Sequence, residues 1–437
     1  MNFLKHSLLG VLIVWLPTNC VPAQWTIFVY SEAEGMADAA LKHLNDMASG
    51  YKAQHALKVN VIVQVHSSGP TAWRYEIKEK SIHTVEEVEI STSCPRDFQE
   101  ALTWAFKNYP AKQKALILSG HGFGVIEPLW DKQRKQWYHP YEEREHSSTS
   151  KELLERLESH AYHKYLLPRT SLCASLTINE VATALKKVVE QACDDKQLDI
   201  IGLDACGMGM LEVAYALAPY GRYCIASQEC ESTQGWDYKA LVDSFCNNIY
   251  EPYQIARSIV YSYKAYYQSK KASRFTLSAL DLSYMVRIKE HIEQLASLLI
   301  STQEQYKEPF SHVLLKARDV GPEFCCAPFY KDLYSFYEAL FQELEGFEQT
   351  ESMSKLKQEL VQGMLLLDQA IIAYTSSTSL KNAHGLSLYF PLTFNHSYLK
   401  TLFAQESLWT EFIKTLKRNS PCTNSCPASL ILLERAA

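Results

Sequence analysis

Two residues of this chain have the side chains of nucleophilic acyl-transfer chemistry and stand where a fold exposes such side chains. Cys206 follows the run Leu198-Asp-Ile-Ile-Gly-Leu-Asp204, and His121 follows Ala115-Leu-Ile-Leu-Ser-Gly120. Both runs are short, apolar and stop at small residues, the pattern of buried strands in a parallel sheet. In cysteine-dependent catalysis a thiolate attacks an acyl carbon while an imidazole shuttles the proton. An isolated cysteine is most often just a small buried apolar side chain. The histidine at a second strand end changes that reading, because loops at the carboxyl ends of parallel strands share one ligand-binding edge. The segment Met208 to Leu217 has helical spacing. Cys206 is therefore expected at a strand-to-helix turn, where free N–H groups and the helix dipole favour a thiolate. Gly120, Gly122 and Gly124 flank His121; they allow close approach of a substrate and leave N–H groups for an oxyanion.

The elements that must position these residues alternate. Trp25 to Tyr30 and Lys58 to Val65 read as strands, with a helix over Met36 to Ala48 between them. Tyr75 to Lys78 and Val88 to Ile90 read as a hairpin or edge pair, and Phe98 to Asn108 as a helix ended by Pro110. Leu176 to Ala192 is a helix with a capping box, Thr177 and Glu180. Arg222 to Ser227 is a further strand. Alternation of this kind implies an α/β fold with a largely parallel sheet covered on both faces. Beyond Tyr250 the balance shifts to helix: Tyr253 to Gln268, Tyr284 to Tyr306, Tyr330 to Glu345, Ser354 to Thr375 and Leu408 to Leu416, with strands at Phe275 to Leu280 and Gly385 to Pro391. The stretch from Ile126 to Arg169 breaks the pattern. It is polar and charged, either a solvated insertion or a loop that meets substrate beside His121.

The chain divides into a signal peptide (1–23), a catalytic part (24–250), a mainly helical part packed on it (251–417) and a cysteine-containing tail (418–437). Lys5 and His6, the apolar run Leu8 to Leu16 and Val21-Pro22-Ala23 make up the signal, with cleavage before Gln24. The protein is thus expected to be exported, to the periplasm or beyond the cell. Lipoprotein processing at Cys20 is disfavoured by Asn19 before it, and no later segment approaches a membrane span. A net charge of −6 gives no support for a nucleic-acid or anionic-membrane partner. The 12 cysteines are compatible with disulfides in an exported compartment. Cys422 and Cys426 suit a local bridge, the adjacent Cys325 and Cys326 do not, and no cysteine pair has zinc-ligand spacing with histidine.

With both strand ends placed, the chain resembles the clostripain family of cysteine peptidases, within the caspase-like group. The shared pattern is an apolar block and His-Gly, then a second apolar block and Asp-Ala-Cys; here these read Ala-Leu-Ile-Leu-Ser-Gly-His121-Gly122 and Ile-Ile-Gly-Leu-Asp204-Ala-Cys206. Family-like blocks run in order from about Trp25 to about Lys417, among them Met210-Leu-Glu-Val-Ala-Tyr, Gly235-Trp236-Asp-Tyr238 and Gly385-Leu-Ser-Leu-Tyr-Phe-Pro391. The resemblance implies a caspase-like sheet and an exported endopeptidase acting on protein or peptide substrates after Arg or Lys. It makes His121 and Cys206 the catalytic dyad, with the N–H groups of Gly122 and Cys206 as the oxyanion hole. Asp204 would line the pocket for the basic side chain. The second pocket acid is expected at Gln234, a departure that weakens the basic preference; Glu229, Glu231 and Asp237 are nearby candidates to compensate. No cofactor is needed for this chemistry. Some family members bind calcium, but no Asp-rich calcium loop of the EF-hand type is present here. Family members are often cut between the catalytic residues, and Trp130 to Lys151 offers Lys132, Arg134, Lys135 and Arg144 for self-cleavage. The chain is expected to act as a monomer. Two alternatives stand beside this reading: an inactive binding protein on the same fold, and a transpeptidase-type acyl transferase using the same dyad.

Overall fold

The structure is a computed structural model. It describes residues 23–33, 36–52, 58–66, 70–90, 94–126, 129–131, 136–138, 176–193, 196–246, 251–325, 327–347, 350–392 and 394–418. The signal segment with Cys20, the four basic residues proposed for self-cleavage, and Cys326, Cys422 and Cys426 lie outside the described residues.

The first half alternates as its apolar pattern requires. Strand β1 (Ala23–Glu32) is followed by α1 (Ala37–Gly50), β2 (Val59–His66), the hairpin β3 (Thr71–Lys78) and β4 (Ser81–Glu89), α2 (Cys94–Asn108) and β5 (Ala111–Ser119). Two short strands, β6 (Leu129–Asp131) and β7 (Gln136–Tyr138), pair with each other. Then come α3 (Ile178–Ala192), β8 (Leu198–Asp204), α4 (Leu211–Leu217), β9 (Gly221–Ala226) and α5 (Tyr238–Cys246). Helix α3 starts at the expected capping box: the Thr177 side chain accepts from the Glu180 N–H while the Glu180 carboxylate accepts from the Thr177 N–H.

The second half gives α6 (Pro252–Ser269), β10 (Thr276–Asp281), the long α7 (Met285–Val320), β11 (Tyr330–Asp332), α8 (Leu333–Glu343), α9 (Glu351–Ala370), β12 (Ile371–Ser376), β13 (Ser387–Tyr389), α10 (Leu402–Glu406) and α11 (Trp409–Arg418). Helix α7 runs well past Tyr306, with a non-helical break at Lys307. The helix expected through Thr375 ends instead at Ala370, and Ile371–Ser376 is a strand because β10 offers it an antiparallel partner.

Nine strands form one sheet in the order β12-β10-β9-β8-β5-β1-β2-β3-β4. The five central strands, β9 through β2, are parallel, and antiparallel pairs close both flanks. One sheet thus runs across residue 250, with β10 and β12 supplied by the helical half. The central strands are buried on both faces, and their side chains alternate between two cores. Phe28, Leu116, Ile201 and Leu203 pack with α2, α3, α4 and the helices after β10. Trp25, Ile27, Ile117 and Ile200 pack with α1, α5 and α6. Full burial of each such side chain contributes roughly 1.5–3 kcal/mol. At the other extreme, β4 is exposed along most of its length.

One buried acid ties α4 to the second half. Glu212 is 1% exposed. Its Oε1 accepts from the Tyr389 N–H at 2.9 Å and the Tyr398 hydroxyl at 3.2 Å, while Oε2 has no partner among the described residues. Burial pushes its carboxyl up from the usual 4.5 to about 7. The folded chain therefore holds this proton at pH values where the unfolded chain releases it. Stability is lost as pH rises from about 4.5 to about 7 and is level above that, a difference of about 3 kcal/mol at most. Glu212→Gln, which keeps the acceptor and removes the titration, should flatten the urea midpoint of unfolding across pH 5 to 8 relative to wild type. Equal pH slopes in the two proteins would refute this assignment.

Candidate active site

Register places the two strand ends level. In the parallel pair β5 and β8, Ser119 stands opposite Asp204, and His121 and Cys206 each follow two residues later. The Gly120 N–H donates to the Asp204 carbonyl at 3.2 Å, which carries the pairing past the strands. Gly122 then passes directly over the Cys206 backbone. A Cβ at residue 122 would stand 2.7 Å from Cys206 N and 2.9 Å from the Ala205 Cβ, and would collide with the Cys206 carbonyl. Only glycine allows the two loops this approach. His121 is exposed on the edge and Cys206 is half-buried.

The loop after His121 is held from the second half of the chain. Tyr330, on β11, donates its hydroxyl to the Phe123 carbonyl at 2.6 Å. The same oxygen accepts from the N–H groups of Val125 at 3.0 Å and Ile126 at 3.1 Å. Three hydrogen bonds to one phenol fix a loop that has no regular structure of its own.

Cys206 differs from expectation in one respect. Helix α4 begins only at Leu211, so the thiol is not at a helix N-terminus. The Gly207 and Gly209 N–H groups turn instead to the carbonyls of Glu229 at 3.2 Å and Ser227 at 2.7 Å. The thiol is pushed well above its usual range by its hydrogen bond with the Cys230 side chain, then by burial and by the nearby Cys230 and Glu229 charges. The Glu231 N–H, donating to Sγ at 3.2 Å, opposes this. The resting Cys206 thiol is neutral.

Near it lie two carboxyls, Asp204 buried and Glu231 half-buried. Asp204 is 4% exposed, and its Oδ2 accepts from the Tyr238 hydroxyl at 2.7 Å, the Trp236 N–H at 3.4 Å and the Ser119 hydroxyl at 3.5 Å. Glu231 accepts from the Trp236 indole N–H at 3.3 Å and the Tyr263 hydroxyl at 2.7 Å. Burial raises both acids, and the Asp204 charge raises Glu231 further. Neither is paired with Lys or Arg among the described residues. An ionisable base close to Asp204 is His43, stacked on Tyr238 with ring centroids 4.5 Å apart; its Nε2–H donates to the Gln234 carbonyl at 2.9 Å. Burial lowers the His43 pKa, so it sits there neutral near pH 7. Gly235 follows in the left-handed region, φ +62°, where a Cβ would stand 2.8 Å from both the Asp204 carboxylate and the His43 ring.

The sequence-derived residues thus separate into two groups. His121, Gly122, Asp204 and Cys206 come together at one edge. Glu229 points elsewhere: its carboxylate pairs with Arg274 at 2.6 Å and accepts from the Cys230 and Cys325 N–H groups. Gln234 is exposed and reaches the site through its main chain only. Asp237 accepts from the Ala240 N–H in the first turn of α5. Of the nearby acids, Glu231 is the one that joins Asp204. His43, Cys230, Tyr263 and Tyr330 carry no motif signal, because their proximity exists only in three dimensions. Among the described residues no cluster of three or more His, Cys, Asp or Glu is arranged to hold a metal ion, and no helix is long and apolar enough to cross a membrane.

Comparison with known proteins places this geometry. No curated protein matches the chain. The fold is similar to that of a secreted C11 cysteine protease from Bacteroides thetaiotaomicron, "iotapain", with TM-score 0.58, 14% identity, and coverage of 88% of this chain and 99% of that one. A secreted C11 protease from the same organism in complex with an irreversible peptide inhibitor gives TM-score 0.58 at 17% identity, covering 90% and 99%. An inactive zymogen C11 protease from Parabacteroides distasonis gives 0.55 at 16% identity, covering 88% and 98%. The clostripain family profile, that of the C11 peptidases, matches residues 170–415, more than half of the chain and including Cys206. With more than half of the chain inside that match, and its fold similar to those of solved C11 proteases, the chain belongs to the clostripain family of cysteine proteases.

Proposed function

We propose that this protein is an exported endopeptidase that cleaves after Arg or Lys, with Cys206 as nucleophile and His121 as its base. Because the resting thiol is neutral, His121 takes the Sγ proton as the sulfur attacks the scissile carbonyl carbon. The N–H groups of Gly122 and Cys206 receive the oxyanion, each worth about 3 kcal/mol in such sites. His121 then protonates the leaving amine. It next deprotonates the water that cleaves the thioester, and the thiol is restored.

The observation that carries the specificity is the pair of carboxyls, buried Asp204 and half-buried Glu231, with no Lys or Arg of the chain beside them among the described residues. Such a pair is incomplete without a cation, and a substrate guanidinium or ammonium supplies one. Export is supported by the sequence of residues 1–23 and by the secreted C11 proteases of similar fold. Self-processing between His121 and Cys206, after Lys132, Arg134, Lys135 or Arg144, is supported by the basic stretch there and by the zymogen of similar fold.

The test is covalent labelling. A peptide acyloxymethyl ketone ending in Arg or Lys should modify Cys206 alone, much faster than the same peptide ending in Glu or norleucine. Labelling at another cysteine, or at equal rates for all four peptides, would sink the proposal.

A further inference from the structure

Two thiols meet at the candidate nucleophile, and peptide hydrolysis uses only one. Cys230 lies close enough to the Cys206 thiol to push its pKa up. The backbone enforces that proximity. The Glu231 N–H donates to Cys206 Sγ at 3.2 Å and the Glu231 carbonyl lies 3.7 Å from it, so the residue just before Glu231 is held beside the sulfur. The Gly207 N–H, donating to the Glu229 carbonyl at 3.2 Å, binds the two loops together from the other side.

Both neighbours of Cys230 are anchored. Glu229 is clamped by Arg274 at 2.6 Å and by the Cys325 N–H at 3.0 Å. Glu231 is clamped by Tyr263 at 2.7 Å and by the Trp236 indole at 3.3 Å. Cys230 therefore cannot easily swing away from Cys206. Both are half-buried, so a small molecule has partial access, and neither is in a disulfide.

We propose that Cys230 is a resolving thiol for Cys206: under oxidising conditions the two close a disulfide that disables the nucleophile, and a dithiol reductant reopens it. The oxidant is a small organic disulfide. One protein thiol, as thiolate, attacks a sulfur of that disulfide; a protein–S–S–R bond forms, the S–S bond of the small disulfide breaks, and the leaving thiolate RS⁻ picks up the proton. The second protein thiol then attacks the mixed disulfide and expels the second small thiol. In sum two protein thiols are oxidised, one small disulfide is reduced to two thiols, and the sulfur that would attack a carbonyl is held in a bond. The bond itself does not depend on the proposed function; its consequence for hydrolysis rests on that reading of Cys206.

The experiment uses the reduced full chain incubated with oxidised glutathione. Intact mass and peptide mapping should show two hydrogens lost and the Cys206 and Cys230 peptides cross-linked. Hydrolysis of an Arg-amide peptide should fall to background and return with dithiothreitol. Cys230→Ser, with oxidised glutathione, should carry glutathione on Cys206 and form no cross-link. Cys325→Ser should still form the Cys206–Cys230 link. Glutathione on Cys206 in wild type with no cross-link, or a Cys230–Cys325 bond in its place, would overturn the proposal. Absence of hydrolysis in the reduced wild type would instead count against the peptidase reading, because the cross-link is read independently of activity. Should Cys230→Ser fail to fold, mapping of the wild type decides alone.

Discussion

Cys206→Ala should lose hydrolysis of Arg- and Lys-amide peptides by at least about a thousandfold, leaving only what binding and an oxyanion hole retain without a nucleophile. The loss is chemical and not structural. Sγ receives one backbone N–H, from Glu231, and the Cys206 main chain, which packs against Gly122, is unchanged by the substitution. The urea midpoint should therefore match wild type. His121→Ala should fall nearly as far, because a neutral thiol without its base reacts slowly, and the exposed imidazole can be removed with little cost to folding. The same substitutions report on processing: purified wild type should run as two pieces on a denaturing gel and Cys206→Ala as one. Near-native turnover in either variant would rule out the dyad, and a fully active wild type in one piece would rule out cleavage as the switch.

The second large effect concerns the pocket. Asp204→Asn and Glu231→Gln should each lower the preference for Arg over its neutral isostere citrulline, by about 1–3 kcal/mol, or roughly 5- to 150-fold in kcat/KM. Both substitutions keep an acceptor oxygen for Tyr238 or Tyr263, so the aromatic frame stays in place while the charge goes. The double variant should lose less than the sum, since the two acids answer one cation. A pH dependence accompanies this. Both acids are raised, so each holds its proton to higher pH than usual, and a bound cation favours the ionised form. KM for basic substrates should rise as pH falls, and KM for citrulline peptides should not. A wild type with no preference for Arg or Lys, or a Glu231→Gln profile identical to wild type, would remove Glu231 from this role.

The parts of the molecule that sequence reading reached are those with local causes. Apolar runs that stop at glycine or at Asp-Ala define β5 and β8, and the Thr177 capping box defines the start of α3. Parallel register then brings His121 beside Cys206 with no further information. The strand Ile371–Ser376 was hidden because Leu356, Leu360 and Leu367 keep helical spacing to its very start, with no proline or glycine at the change. Its conformation is set by β10, a partner nearly a hundred residues earlier. Glu229 and Glu231 are indistinguishable in sequence. Arg274 takes one, while Tyr263 and Trp236 hold the other, and of these partners Arg274 and Tyr263 are distant in the chain. The thiol of Cys206 reads as a helix-terminus thiolate from spacing alone, whereas Met208 to Met210 form a loop that turns toward β13 before α4 begins.

The outer strand β4 has a bearing on how copies of the chain behave toward one another. An unpaired strand edge is a template for adding another strand, and two such edges can fuse sheets into fibres. Here the edge carries Glu86, Glu87 and Glu89 with exposed side chains along its length. Two such edges brought together would set these carboxylates against each other, at a repulsion that grows as salt is diluted.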